Sequence, residues 1–92
     1  MDRYQKVKRV LTTRLGTRPG NPTYGTRLYL LRDRRADGEA AVWFAKYAHE
    51  DIVRSEPSIE VKEAKLISIY GDQVKGRIVF SDGESLEVEA AL

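Results

Sequence analysis

The sequence changes its hydrophobic period at Pro57, and this change constrains the fold more than any other feature. Before Pro57, apolar residues recur every three or four positions, as they do on one face of an α-helix. After Pro57, apolar and polar residues alternate, as they do in strands that bury one face. We therefore predict an α+β fold, with helices in the first part of the chain and a sheet in the last part.

Two helices are predicted before Pro57. The first covers about residues 3–15 and is followed by Gly16, a residue type that commonly ends helices. The second covers about residues 39–55. The apolar faces consist of Tyr4, Val7, Val10, Leu11 and Leu15 in the first helix, and of Ala40, Ala41, Phe44, Ala45, Tyr47, Ala48 and Ile52 in the second. We expect both faces to pack on the sheet.

Trp43 lies outside the apolar face of the second helix. At ~100° per residue it is roughly 160° from Ala41 around the helix axis, beside the charged residues Lys46, Glu50 and Arg54. Two interpretations are open. The ring is either a contact point for a partner, or it lies over charged side-chain stems of its own fold.

Three antiparallel strands are predicted after Pro57, over about 58–69, 74–80 and 84–91, and they form a meander. The first strand changes phase, which indicates either a β-bulge near Lys62 or burial of both of its faces.

The register of the last two strands follows from the loop between them. A two-residue loop would mix apolar and polar residues on each face, whereas a three-residue loop over 81–83 keeps the faces separate. The longer loop also puts Gly83 at the left-handed position that such loops require. The predicted pairs are Ile78 with Leu86, Gly76 with Val88, Arg77 with Glu87, and Lys75 with Glu89.

The composition excludes several classes of site. A chain of 92 residues is a single domain over 1–92, and without cysteine it has neither disulfides nor thiolate metal ligands. His49 is the only histidine, so neither a zinc site nor a histidine-based triad is indicated. We predict no metal and no cofactor. No apolar run approaches the length of a membrane span, and the first residues lack the apolar core of a signal peptide.

Carboxylate pairs were considered because glycosidases use two of them. Glu50 and Asp51 are adjacent on the second helix, so their side chains point apart. The other acids show no pattern beyond the chance proximity expected of fourteen acids in this chain. We predict that the protein is not an enzyme, and a muramidase is the weakest of the functions considered.

Charge is distributed unevenly along the chain. Residues 1–35 carry ten Arg or Lys and two acids, so their net charge is +8. Residues 36–92 carry six Arg or Lys and twelve acids, so their net charge is −6. This asymmetry indicates two surfaces for two kinds of partner, or stacking against similar copies.

The basic first third also permits nucleic-acid binding, which we keep as the alternative function. No helix-turn-helix, zinc-finger or RNA-recognition signature accompanies these residues. The candidate phosphate-binding and base-stacking residues are Arg14, Arg18, Arg27, Arg32, Arg34, Arg35, Tyr24 and Tyr29.

Residues 11–28 contain a more specific motif. Leu11-Thr12-Thr13 precedes Gly16-Thr17-Arg18, and Tyr24-Gly25-Thr26 precedes an apolar segment. This order resembles the phage baseplate wedge protein W family, which includes a wedge subunit once called a gene-25-like lysozyme and the corresponding baseplate subunit of type VI secretion systems. The family pattern has a helix ending in Leu-Leu-Thr, then Gly-x-Arg, a short spacer and an aromatic-Gly-Ser/Thr turn. We interpret the lysozyme label as a legacy of naming.

The exit of the second helix is similar to the same family. Its pattern is Glu-Pro-Arg followed by a strand, and here Glu56-Pro57 is followed by Ser58. Ser58 departs from the pattern, and Arg54, one helical turn earlier, is a candidate substitute for the missing arginine. The resemblance covers about residues 5–61 by motif and the remainder by strand pattern.

The resemblance implies a structural subunit of a contractile-tail baseplate, in a phage, a tailocin or a secretion machine. Such a subunit is assembled in the host cytoplasm, is present in six copies per ring, docks on baseplate wedge proteins and initiates the tail sheath by strand pairing. The tail tube or hub is a further candidate partner. The candidate partner-binding residues are Arg14, Arg18, Tyr24, Gly25, Arg27, Trp43, Glu56, Pro57, Glu84, Leu86, Glu87, Val88 and Glu89.

Overall fold

The predicted order of helices followed by strands is present in a computed structural model, which describes residues 2–17, 19–20, 22–32 and 34–91. The three strands form an antiparallel sheet in the order β1-β2-β3, with the helices packed against it. The α+β prediction is therefore confirmed. The elements are α1 (Arg3–Thr12), a 3₁₀ helix (Leu28–Leu31), α2 (Gly38–Ser55), β1 (Val61–Tyr70), β2 (Gln73–Phe80) and β3 (Ser85–Ala91).

Helix α1 begins at a capping box and ends earlier than predicted. The Asp2 carboxylate accepts a hydrogen bond from the Gln5 N–H at 2.8 Å, and the Gln5 side chain accepts one from the Asp2 N–H at 3.3 Å. The helix ends at Thr12, because Thr13 turns to an extended conformation and its carbonyl accepts a hydrogen bond from the Thr26 N–H at 2.9 Å. The hydrogen bond between Thr13 and Thr26 thus replaces the last helical turn that we predicted for α1.

The apolar face of α1 is shorter than the sequence stripe. Val7, Val10 and Leu11 are buried, as predicted. Tyr4 is 55% exposed, because it lies beside the edge of β3 rather than over the sheet. Leu15 lies beyond the helix end. The stripe therefore predicted burial at the centre of the helix correctly, but not the exposure of Tyr4 or the position of Leu15 beyond the helix.

Helix α2 has well-defined ends. The Asp37 carboxylate accepts a hydrogen bond from the Ala40 N–H at 2.9 Å and caps the first turn. Glu56 ends the helix, and its carbonyl accepts a hydrogen bond from the Ile59 N–H at 3.0 Å across the turn at Pro57. This turn delays the start of β1 to Val61, three residues later than predicted.

The core lies between the helices and one face of the sheet, with α2 mainly over β1 and α1 over β3. Gly76 of β2 permits the closest approach. A β-carbon at this position would overlap the ring of Phe44 on α2. The buried core residues include Val7, Val10, Leu11, Tyr24, Leu28, Leu31, Phe44, Ala48, Ile52, Ile78, Phe80, Leu86 and Val88.

The β2–β3 register is the predicted one. All four predicted pairs are formed, including Ile78 with Leu86 and Arg77 with Glu87. Gly83 has a φ of +93°, and its N–H donates to the Phe80 carbonyl at 3.0 Å. The three-residue loop with a left-handed glycine is therefore confirmed.

Strand β1 is irregular, as its change of phase indicated. Its pairing with β2 shifts between Val61 and Glu63, and again between Leu66 and Ser68. The first shift is the predicted bulge near Lys62. The alternative, burial of both faces, is wrong, since Val61 and Ala64 are the buried residues of the strand and Ile67 is 44% exposed.

Candidate functional site

The motif loop, defined here as residues 13–27, folds back onto the C-terminal end of α2. Tyr24 is buried in the core and fixes the loop there. Gly25 has a φ of +117°, and a β-carbon on it would lie 2.7 Å from the Thr13 carbonyl oxygen. Its N–H donates to the Ser55 hydroxyl oxygen at 3.0 Å. Glycine is required here by both the backbone conformation and the space available.

Asp51 holds this loop to α2. Its side chain is completely buried. Oδ2 accepts hydrogen bonds from the Arg27 backbone N–H at 2.8 Å and from the Thr26 hydroxyl at 3.1 Å. Oδ1 accepts from Arg27 Nη2 and from Arg54 Nη1, each at 2.9 Å. We name Asp51, Arg27 and Arg54 the arginine clamp. A buried carboxylate is tolerated because these charged donors replace its hydration.

Arg54 also binds the backbone of the motif loop. Its Nε donates to the Thr23 carbonyl, and its Nη2 donates to the Gly25 carbonyl, both at 2.8 Å. The planar guanidinium thus bonds three acceptors through three separate nitrogens, whereas the donors of a lysine all lie on one nitrogen. Ser58, which stands where the resembling family has arginine, is exposed in the turn after α2.

Arg27 is neutralised within the chain. Besides Asp51, its Nη2 contacts Glu50 Oε1 at 3.1 Å, and its guanidinium lies 4.7 Å from the centre of the Tyr47 ring. Burial lowers the pKa of Arg27, but its hydrogen bonds to Asp51 and Glu50 outweigh burial and raise the pKa above its ordinary value. The charge of Arg27 therefore helps to hold the motif loop against α2.

The other predicted residues of this half have separate positions. Arg14 is exposed, and its guanidinium lies 4.1 Å from the centre of the Tyr29 ring. Glu56 and Pro57 form the exit of α2, as predicted. Arg18 lies outside the described residues.

Trp43 is partly buried against the core and contacts its own fold. Its ring stacks on Tyr47, with centroids 5.6 Å apart and an interplanar angle of 26°. Lys46 Nζ lies 5.4 Å from the centre of the Trp43 ring. The intramolecular interpretation of this residue is thus observed. The part of the ring that remains exposed borders a groove between the 3₁₀ helix and α2.

Strand β3 forms one edge of the sheet. The Phe80 N–H donates to the Glu84 carbonyl at 2.8 Å, and hydrogen-bonded and non-hydrogen-bonded pairs alternate from there. Ser85, Glu87 and Glu89 therefore direct their backbone N–H and C=O groups away from β2. Across the described ranges, no backbone hydrogen bond from another element reaches these groups.

A groove of about 390 Å³ runs beside this edge. Tyr4 and Lys8 of α1 form one wall, and residues 86–89 of β3 form the other, with Lys75 nearby. The side chains of Leu86 and Val88 point into the core, so the groove presents backbone and acidic side chains to solvent.

The acidic side chains near β3 differ in how firmly they are paired. Glu84 Oε2 and Asp82 Oδ2 contact Arg3 at 2.6 Å and 2.9 Å, and the Arg3 guanidinium lies 4.0 Å from the centre of the Phe80 ring. The hydrogen bond to Arg3 lowers the pKa of Asp82. The carboxylates of Glu87 and Glu89 lie 3.8 Å and 3.9 Å from Lys75 Nζ and are about half exposed or more. Glu84 thus ties the hairpin to α1, whereas Glu87 and Glu89 remain accessible.

The opposite edge, β1, is obstructed. Its two register shifts interrupt the row of backbone groups, and the Nε2–H of His49 donates to the Val61 carbonyl at 3.0 Å. Bulges and side-chain caps are common ways to prevent a strand from pairing at an edge. The sheet therefore has one regular edge, and that edge is β3.

Asp51 is the residue that sequence reasoning missed. We treated it only as half of a carboxylate pair, although it precedes Ile52 on the side of α2 that carries Phe44 and Ala48. An acid on an apolar helix face is almost never buried unless it is paired. That signal would have predicted a cationic partner.

Two further findings concern the described part of the chain. Among residues 2–17, 19–20, 22–32 and 34–91, no group of three or more His, Asp or Glu side chains is arranged to hold a metal ion. Neither helix described here is both long and apolar enough to cross a membrane.

No protein-family model matches this chain, and no curated protein matches it significantly. The resemblance therefore rests on the residues of the motif loop and of the α2 exit.

Proposed function

We propose that this protein is a structural baseplate subunit of a contractile tail, which docks on wedge proteins and initiates sheath assembly by accepting a strand at β3. The observation that carries the proposal is the regular, unpaired edge of β3 beside a groove, together with the resemblance of residues 11–28 and 56–57 to the baseplate family.

Strand addition at β3 needs no rearrangement of the fold. Ser85, Glu87 and Glu89 present donors and acceptors at two-residue spacing, which is the spacing an extended segment requires. The groove between β3 and α1 provides space for that segment. An incoming strand would continue the order β1-β2-β3 as a fourth strand.

Charge favours a basic segment. Glu87 and Glu89 lie on the exposed side of β3. Lys75 Nζ, 3.8 Å and 3.9 Å from them, and Arg77 Nη2, 3.9 Å from Glu87, are weak competitors. Opposite charges on neighbouring strands stabilise pairing by roughly 0.2–1 kcal/mol per pair. A sheath arm with Lys or Arg at alternate positions fits this edge.

The wedge proteins are proposed to bind the basic first third. Arg14, Arg34 and Arg35 are exposed there, whereas Arg27 is held in the arginine clamp. The clamp fixes the part of this surface that the motif loop forms, so the conformational entropy lost there on docking is small.

The test must block the β3 edge without removing the core. Deletion of residues 84–92 would remove the buried Leu86, Val88 and Ala90, so it would test stability together with binding. Glu87→Pro is preferable, because the Glu87 N–H points away from β2 and proline is tolerated at such edge positions. Glu87→Ala removes the same carboxylate but keeps the N–H, and it is the matched control.

Pull-downs with the sheath and wedge proteins encoded beside this chain give the readout. We expect wild type and Glu87→Ala to retain sheath, Glu87→Pro to lose it, and all three to retain the wedge protein. Sheath binding by a folded Glu87→Pro variant would rule out strand addition at β3. Salt-sensitive binding to duplex DNA, with neither sheath nor wedge binding, would favour the nucleic-acid alternative.

A further inference from the structure

The groove beside β3 has a wall, helix α1, whose side chains take no part in strand pairing itself. The helix follows β3 in the same direction. Arg3 near its start contacts Glu84, which precedes the strand, and Thr12 at its end lines a small pocket with Ala91, the last residue of the strand. The middle of α1 borders the middle of β3. A strand added at β3 would therefore run alongside the helix.

Two side chains of α1 line this groove. Tyr4 is 55% exposed, and Lys8, one helical turn later, is also exposed. Residues four positions apart are ~6 Å apart along a helix, and alternate residues of a strand are about 6.7 Å apart. Consecutive side chains on one face of an added strand would thus meet Tyr4 and Lys8 in turn. The Tyr4 ring offers apolar surface, which suits an apolar side chain.

The two faces of an added strand would have different surroundings. Side chains that lie directly opposite on neighbouring strands share a face of the sheet, so those opposite Glu87 and Glu89 would point outward with these carboxylates. Those opposite Leu86 and Val88, which are buried on the helix side of the sheet, would point towards α1. One face of the added strand is therefore next to acids, and the other is next to the exposed side chains of α1.

The charges that line the groove cancel in sum, but they lie on opposite sides of the added strand. Lys8 provides the charge on the helix side, and within the described ranges no carboxylate forms an ion pair with it. Glu87 and Glu89 are on the outer side. Lys75 also lines the groove, but the backbone that carries it lies one strand spacing, about 4.8 Å, beyond β3. The helix side therefore favours an acidic residue, and the outer side favours basic residues.

We propose that β3 and α1 together select an extended protein segment with a different pattern on each face. The outer face carries basic residues beside Glu87 and Glu89. The inner face carries an apolar residue at Tyr4 and, at the next inner position, an acidic residue at Lys8. This inference rests on strand addition at β3 and adds the side chains that the incoming segment must carry. A uniformly basic segment is disfavoured, because it would bring a cation against Lys8.

NMR titration of the full chain measures both the position and the strength of binding. The reference peptide is a short synthetic strand with Lys at every outer position and with Leu and Glu at neighbouring inner positions. It is made with Leu and Glu in both orders, since parallel and antiparallel addition present them to α1 in opposite order, and the tighter of the two is used. The comparison peptides replace the inner Glu by Lys, or the inner Leu by Ser.

The reference peptide is expected to protect the amides of Ser85, Glu87 and Glu89 from exchange. It should bind about twofold to fivefold more tightly than either comparison peptide, which is the range that cross-strand pairs produce.

Exchanging charges tests Lys8 directly. Lys8→Glu should weaken the peptide with inner Glu and strengthen the peptide with inner Lys, so that the order of their affinities reverses. Lys6→Glu makes the same change in net charge on the opposite side of α1 and should leave that order unchanged. Tyr4→Ser should abolish the preference for Leu over Ser, whereas Tyr70→Ser, at the 86% exposed tyrosine of β1, should preserve it.

Two results would overturn the proposal and leave strand addition intact. The first is equal binding of the reference peptide and a comparison peptide, when both protect the outward amides of β3. The second is an equal response of the peptide affinities to Lys8→Glu and Lys6→Glu. Failure of strand addition has a different signature, because no peptide would then protect these amides, and that result would overturn both proposals.

Discussion

The arginine clamp and the β3 edge use polar groups in opposite ways. In the clamp, the carboxylate of Asp51 and the guanidinium of Arg54 find their partners inside the chain. At β3, the backbone groups of Ser85, Glu87 and Glu89 point outward without such partners in the described structure. The sequence predicted partner-binding residues in both regions, Arg27 in the clamp and Glu87 and Glu89 at β3. The difference indicates that the motif residues Tyr24, Gly25 and Arg27 hold the fold together, whereas β3 leaves backbone groups available for a further strand.

This difference determines what substitutions should do. A domain of this length has a free energy of unfolding of about 5–14 kcal/mol. Substitutions in the clamp should remove a measurable part of it, because they leave buried polar groups unpaired. Substitutions at the outward positions of β3 should change stability little, and only those that remove an outward backbone N–H should abolish strand addition.

The largest loss of stability is expected for Asp51→Asn. Two guanidinium groups and a backbone N–H would lose their carboxylate, at a cost of about 3 kcal/mol. Urea denaturation measures this loss. Glu50→Gln, at the neighbouring and exposed partner of Arg27, should cost less than about 1 kcal/mol. Equal losses of stability for the two substitutions would show that the burial of Asp51 does not strengthen its contribution over that of the exposed Glu50.

Gly25→Ala should have the next largest effect, about 2–3 kcal/mol, because it combines a left-handed conformation with a contact on the Thr13 carbonyl. Gly20→Ala separates these two causes. Gly20 also has a positive φ, of +75°, but has no neighbouring atom within 4 Å of an added β-carbon. Gly20→Ala should therefore lower the free energy of unfolding by only about 1 kcal/mol. Thermal unfolding of both variants compares them, and equal losses would contradict the close approach of Gly25 to the Thr13 backbone.

Arg54→Lys tests the geometry of the clamp separately from its charge. Lysine keeps the positive charge but cannot reach Asp51 and the carbonyls of Thr23 and Gly25 together, so we expect a loss of about 1–2 kcal/mol in urea denaturation. Arg77→Lys on the exposed face of β2 is the control and should be neutral. A neutral Arg54→Lys would show that charge alone holds the loop.

The smallest effect concerns the contact of Arg3 with the hairpin. The pKa of Asp82 is below its usual value of 3.8, so this carboxylate stabilises the fold above that pH and stops doing so as the pH falls through the lower, folded-state value. The difference in stability between wild type and Asp82→Asn should be constant near neutral pH and disappear in strong acid. Asp72→Asn in the β1–β2 turn serves as a control. A difference that grows on acidification would contradict the assigned contact.

Local patterns predicted most of the fold. The period of the apolar residues predicted both helices and all three strands, and the alternation on each side of Gly83 predicted the hairpin register. These features depend on neighbours within a few positions or across one tight turn. Where a distant segment competes, prediction was wrong, as at the end of α1, which Thr26 shortens by pairing with Thr13.

The candidate site was predicted less completely. The motif indicated that Tyr24, Gly25 and Arg27 matter, but the hydrophobic period does not show that Asp51, 24 positions beyond Arg27, binds Arg27 and Thr26. Residues of β3 were predicted as partner-binding because the resemblance implies sheath initiation by strand pairing. The groove beside β3 depends on where α1 crosses the sheet, and no local pattern encodes that position.

Hydrogen exchange at β3 tests the central claim most directly. Amides of the full chain are followed with and without a synthetic peptide of the sheath arm. Strand addition predicts that Ser85, Glu87 and Glu89, whose N–H groups face the open edge, become strongly protected. Leu86 and Val88, already bonded to β2, should change little, and so should the obstructed edge strand β1. Peptide binding that leaves the three outward amides of β3 unprotected would contradict the assignment of this edge as the sheath-binding site.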